Sequence, residues 1–147
     1  MFKRYKNYLG IAGWGVGRRW GIERYLYILH RITGLGILSY FLLHIFVTTS
    51  RIFGEEVWEF MMRSVDKPIF KIGEFMVFLA FCFHGLNGLR LIFIELGFKL
   101  AIGEAEEPVY PYKTSLNKQR PLLFVCMVIC IVLVILGGIN FIRVFHF

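Results

Sequence analysis

A chain of 147 residues has room for one domain, and 57% hydrophobic residues, 18% aromatic residues and a mean hydropathy of +0.63 exclude an ordinary water-facing surface. The class is a membrane protein. A net charge of +7 invites a nucleic-acid partner, but the positive residues sort by membrane side, so topology accounts for them and no nucleic acid is expected.

The chain opens with "NYLGIAGWGVGRRWGIERY" over residues 7–25, where glycines and two tryptophans alternate. An interfacial segment with the tryptophans at headgroup level fits this pattern, and so does a docking surface for a soluble partner. No apolar run with a small-residue cleavage site is present there, so neither a signal nor a transit peptide is expected.

Three apolar segments are long enough to span a hydrocarbon core of about 30 Å, which takes roughly 20 residues of helix. They run over about 25–49, 72–98 and 121–142. The first contains "ILHRITGLGILSYFLLH", in which His30 and Arg31 open the segment and His44 closes it. Between the first two spans, "RIFGEEVWEFMMRSVDKP" predicts a short amphipathic helix with Val57, Trp58, Phe60 and Met61 on its apolar side and Pro68 ending it. The second span is dry over "FMVFLAFCFHGLNGL" and meets Arg90 and Glu95 near its end. A polar loop, "GEAEEPVYPYKTSLNKQR", then leads to the third span.

Of the 17 Lys and Arg residues, twelve lie before the first span's apolar part or around the connection between spans two and three, and five on the other side. The N-terminus is therefore inside and the C-terminus outside. Cys82, Cys126 and Cys130 all fall within spans and lack metal-type spacing, so they read as small apolar packing residues.

An ionisable side chain in lipid is costly and faces the bundle interior, which makes the histidines informative. His84 is followed by Gly88, only 40° away around the helix, and a glycine there opens a notch on the histidine's own face. Two accounts fit: helix packing through small residues, or a notch for a flat macrocycle whose iron His84 ligates. His30 and Arg31 either snorkel at the interface or hold an anionic group or a quinone carbonyl. His44 lies on nearly the same helix face as His30, about 21 Å farther along, and is either structural or a ligand deeper toward the outer side.

The pair "ILHRITGLG" and, in span two, "FHGLNGLRLIFIELGF" resembles the cytochrome b556 subunit family of succinate dehydrogenase over about residues 24–98. The family's motifs have the forms S-x-x-H-R-x-[ST]-G and H-x-x-x-G-[IL]-R-H-x-x-x-D-x-G. The resemblance implies an all-α, three-span anchor domain over 25–147 that binds haem b, with residues 1–24 as an interfacial segment. It makes His84 an axial iron ligand and expects the other axial histidine from a second membrane anchor subunit. By the same resemblance His30 and Arg31 approach a haem propionate, and Arg31 with Tyr27 borders the quinone. The family's serine is Tyr27 here, Leu91 stands in place of the motif's second histidine and Glu95 in place of its aspartate.

His44 has no counterpart in single-haem members. Related quinone-linked enzymes with two haems take one histidine from each of the first two helices, so the expectation is one haem b, or two with His44 ligating an outer one. If Arg31 and Arg90 mark one inner boundary, or the boundary shifts to Glu95, His44 lies about 4 to 11 Å deeper than His84.

The resulting expectation is the membrane anchor of a succinate:quinone oxidoreductase in a prokaryotic cell membrane, with its hydrophilic partners on the cytoplasmic side. FAD and iron-sulfur clusters would sit in a flavoprotein and an iron-sulfur subunit, and this chain carries no catalytic residue of its own. Two rivals are a self-contained cytochrome b, in which His44 and His84 share one haem, and a haem-free structural anchor.

Overall fold

The computed structural model describes residues 21–99 and 116–145. Most of the expected interfacial N-terminal segment, much of the polar loop before the third span and His146 lie outside them. The described residues form α1 (Ile22–Thr49), a 3₁₀ turn (Ser50–Phe53), α2 (Glu55–Val65), α3 (Pro68–Glu95) and α4 (Leu116–Phe145), with no strand among them. α1 with its 3₁₀ extension, α3 and α4 are each long and apolar enough to cross a membrane. At 28 residues, α1 and α3 are about 42 Å long, more than a bilayer core requires, so their ends reach the headgroups.

The boundaries differ from the sequence expectation where local chemistry intervenes. Pro68 does not end α2; it is the first residue of α3, where its missing N–H costs nothing and its fixed φ suits a helix start. α2 stops at Val65 with Asp66 outside it, and Gly54, at φ +104, makes the sharp break before it. α3 ends at Glu95, short of residue 98, because Gly97 takes φ +71 and a Schellman motif closes the helix. The amide of Phe98 donates to the Phe93 carbonyl at 3.1 Å and that of Gly97 to Ile94 at 3.1 Å, while the Phe93 and Phe98 rings meet edge to face at 5.5 Å. α4 begins five residues before Pro121, which lies inside the helix.

α3 is the central element, packed along α1 on one side and α4 on the other. Near one end Leu26 of α1, Cys82 and Phe83 of α3, and Leu123 and Cys130 of α4 form the core, with Phe78, Leu86, Met127 and Val134 around it. Cys126 is buried as well, so the three cysteines pack as small apolar side chains. Toward the other end Phe75 stacks on Phe141 at 4.7 Å, and Gly137 receives the Phe78 ring. Glu23 and Arg120, joined at 3.0 Å, tie the start of α1 to the early part of α4.

Most other apolar side chains on the three long helices are exposed, among them Leu35, Phe41 and Leu136. In lipid this carries no penalty, and association relies on close packing at small residues. α2 lies across the end of α1, where Val57 and Met61 join Leu42, Ile45, Phe46, Thr49, Ser50 and Phe53 in lining an apolar groove. Phe60, expected on the same side, is exposed.

Candidate functional site

Glycine in a helix interior costs about 1 kcal/mol relative to alanine, so Gly34 and Gly88 call for a compensating contact. The two helices run antiparallel and each places a histidine against the other's glycine. A Cβ on Gly34 would lie 2.8 Å from His84 Cε1, and one on Gly88 would lie 3.4 Å from His30 Cε1. The two imidazoles thus stack at 3.9 Å between centroids, 5° from parallel. The notch at Gly88 takes the His30 ring, not a macrocycle.

The surroundings of His84 fix its tautomer. Its Nδ1 lies 3.0 Å from the His30 carbonyl oxygen, which can only accept, so Nδ1 carries the proton. Thr33 Oγ1, 3.4 Å away, faces the same nitrogen, and the Thr33 hydroxyl proton goes to the carbonyl of Leu29 at 2.8 Å or His30 at 3.0 Å. Nε2 keeps its lone pair and has no hydrogen-bond partner among the described residues. An imidazole whose Nδ1–H is held by a backbone carbonyl is in the form that ligates a metal through Nε2.

Tyr27 and Arg31 occupy the same side of α1 as His30 and Gly34. Arg31 Nη1 donates to the Tyr27 phenol at 3.3 Å, and the guanidinium lies 5.5 Å from the ring centroid. Both are exposed, next to the stacked imidazoles, and present a cation and a phenol to whatever occupies the adjoining space. Four of the five expected site residues therefore form one cluster: Tyr27, His30, Arg31 and His84.

Sequence reasoning did not single out Asn87, nor the environment of Arg90. Asn87 is fully buried, and its Oδ1 accepts a hydrogen bond from Arg90 Nε at 3.1 Å. Asn87 Nδ2 and His30 Nδ1 are buried without a hydrogen-bond partner among the described residues. An amide three residues before an arginine, inside an apolar helix, was the available signal, since such a pair shares a face.

His44 does not join this cluster. It lies near the other end of α1, 6.0 Å from the Tyr40 ring, in a cleft of about 320 Å³ that also takes in Ser39 of α1 and Gly73, Glu74 and Val77 of α3. A Cβ on Gly73 would meet nothing within 4 Å among the described residues. Because His84 sits between His30 and Gly34, its distance from His44 along α1 is about 15 to 21 Å, larger than the expected 4 to 11 Å. The expected spacing fails because Arg31 and Arg90 do not mark one level: His30 meets Gly88, so Arg90 lies farther inward. Imidazoles on opposite faces of one iron must sit at one height, so this separation overturns the self-contained arrangement with His44 and His84 on a single haem. Among the described residues no group of three or more His, Cys, Asp or Glu side chains gathers as a metal cluster.

Residues 13–137 match the family described as succinate dehydrogenase/fumarate reductase transmembrane subunit. A relative from Halobacterium salinarum, the succinate dehydrogenase hydrophobic membrane anchor subunit, is 26% identical over 88 residues, covering 59% of this chain and 68% of the relative. No solved structure matches the chain significantly.

Proposed function

The chain belongs to the family of succinate dehydrogenase/fumarate reductase transmembrane subunits, and on that premise we propose that it is the haem b-binding, quinone-facing anchor of such a complex. Membrane anchorage follows from the family and the three apolar helices. The haem and quinone roles are supported best by one observation: His84 is held with Nδ1–H on the His30 carbonyl and Nε2 left as a ligand.

In this reading His84 would hold the haem iron through Nε2, together with a histidine of a second membrane anchor subunit. His30 and Arg31, consecutive on α1, would approach a haem propionate. Arg31 and the Tyr27 phenol are hydrogen-bond donors for a quinone carbonyl at the membrane edge. The haem, when bound, supplies a one-electron redox centre between the iron-sulfur subunit and the quinone. FAD and the iron-sulfur clusters belong to the partner flavoprotein and iron-sulfur subunits, docked on the cytoplasmic side of a prokaryotic cell membrane.

The test is the visible spectrum of the purified complex. Wild type should carry b-type absorbance, and His84→Ala should lose that of the haem at His84 while the subunits still co-purify. A His84→Ala complex with the full wild-type haem content removes this residue from the iron. A wild-type complex with no b-type absorbance leaves the haem-free anchor as the function.

A second haem, ligated by His44, is favoured by the cleft beside it and the open space at Gly73. The axial distance from His84 leaves room for two macrocycles at different heights. Haem per complex should fall by one in His44→Ala, and an unchanged stoichiometry sinks the second haem alone.

A further inference from the structure

Arg90 is 6% exposed in a membrane-crossing helix, yet among the described residues no carboxylate lies within ion-pair distance of it. Its one side-chain hydrogen bond among them goes to a neutral amide, the Oδ1 of Asn87 at 3.1 Å. Glu23, at the start of α1, is engaged by Arg120 at 3.0 Å. Burying a guanidinium without a counter-charge is expensive, and arginine keeps its charge by its chemistry. An amide in this position holds the guanidinium in place without cancelling its field. Asn87 is also imperfectly used, since its Nδ2 is buried with no partner among the described residues.

That charge lies close to the cluster around the stacked imidazoles, for Arg90 is two residues from Gly88, against which the His30 ring packs, and that ring lies 3.9 Å from that of His84. We propose that Arg90, anchored by Asn87, is a fixed buried cation that favours reduction of the redox centre held at His84. The proposal rests on the haem reading above and deepens it by naming the residue that sets the centre's potential. Adding an electron to the iron lowers the net charge of the site by one, and a permanent positive charge nearby stabilises that form. Six residues separate Arg90 from His84, about 9 Å of helix rise. At that distance, in a medium of intermediate dielectric, a unit charge shifts a one-electron equilibrium by about tenfold or somewhat more.

The experiment is a redox titration of the b-type absorbance in the purified complex. Arg90→Gln should lower the midpoint potential by about 59 mV, the one-electron equivalent of tenfold, with the low-spin spectrum retained. Arg90→Lys, which keeps a charge, should stay near wild type. Asn87→Asp, of the same shape as asparagine, sets a carboxylate against the guanidinium and should lower the potential in the same direction, with Arg90 still present. If Arg90→Gln does not assemble, Asn87→Asp decides. Haem-loaded Arg90→Gln or Asn87→Asp complexes with the wild-type potential overturn the proposal. Absence of b-type absorbance in wild type overturns the haem reading itself, and with it this one, before any variant is made.

Discussion

Gly34→Ala is the sharpest perturbation of the cluster. The added Cβ would sit 2.8 Å from His84 Cε1 and 3.3 Å from its Nδ1, whereas carbons rest at about 3.5 to 4.0 Å. The ring must therefore retreat by roughly 0.7 Å or more. It has little freedom to do so, because it stacks on His30 at 3.9 Å and is bonded to the His30 carbonyl at 3.0 Å. A retreat of that size directed away from the His30 carbonyl takes the bond to about 3.7 Å, where it no longer counts as one. Overpacking of this kind costs about 1 to 3 kcal/mol, and the lost hydrogen bond adds about 1 kcal/mol. The methyl returns at most about 1 kcal/mol of helix propensity, so the sum is destabilising. Thermal unfolding of the detergent-solubilised complex should show a lower midpoint, and the b-type spectrum should weaken or change spin state as His84 leaves its orientation. Gly36→Ala, two residues on, meets nothing within 4 Å among the described residues and should be neutral or slightly stabilising. A Gly34→Ala complex with wild-type melting and spectrum would refute the assigned packing of His84.

Gly137→Ala should also destabilise, by about 1 to 3 kcal/mol, because its Cβ would enter the Phe78 ring; Gly138→Ala, with an ordinary 3.7 Å contact to Phe75, is the paired control in the same melting assay. Arg31→Ala should slow quinone reduction more than reduction of an artificial acceptor that takes electrons upstream, and equal losses in both rates would remove Arg31 from the quinone site. Glu23→Gln breaks the pair with Arg120, whose side chains are 21% and 44% exposed; a surface pair of this kind is worth about 0 to 1 kcal/mol, and a larger drop in melting would mean that the pair fixes α1 against α4.

The three spans, the cysteines as packing residues and the His30, Arg31 and His84 neighbourhood were legible because each depends on hydropathy or on a motif carried by consecutive residues. The relation between helices was less legible. Periodicity gives the face of a residue on its own helix, but the height at which α3 meets α1 depends on which side chain fills which gap. Arg90 shows the difficulty: an arginine near a span's end reads as a boundary marker, whereas this one is folded inward onto Asn87. Taking it as a marker displaced His84 toward His44. The Gly88 notch was visible as a gap, but its occupant came from a helix nearly sixty residues earlier. Pro68 reads as a stop for α2 because proline both ends and begins helices, and here it begins α3 while α2 has already stopped at Val65.

The reciprocal fit of His30 into Gly88 and His84 into Gly34 also bears on how the protein is made. The two halves of each contact leave the ribosome 58 residues apart in one case and 50 in the other. At a synthesis rate of about 5 to 20 residues per second, α1 waits roughly 3 to 12 s before its counterpart exists. Throughout that interval the His30 imidazole has no glycine to receive it and the carbonyl that will hold His84 has no ring to hold. The first helix must therefore rest in the bilayer as a solitary, polar-tipped rod, and the arrival of α3 completes both contacts together.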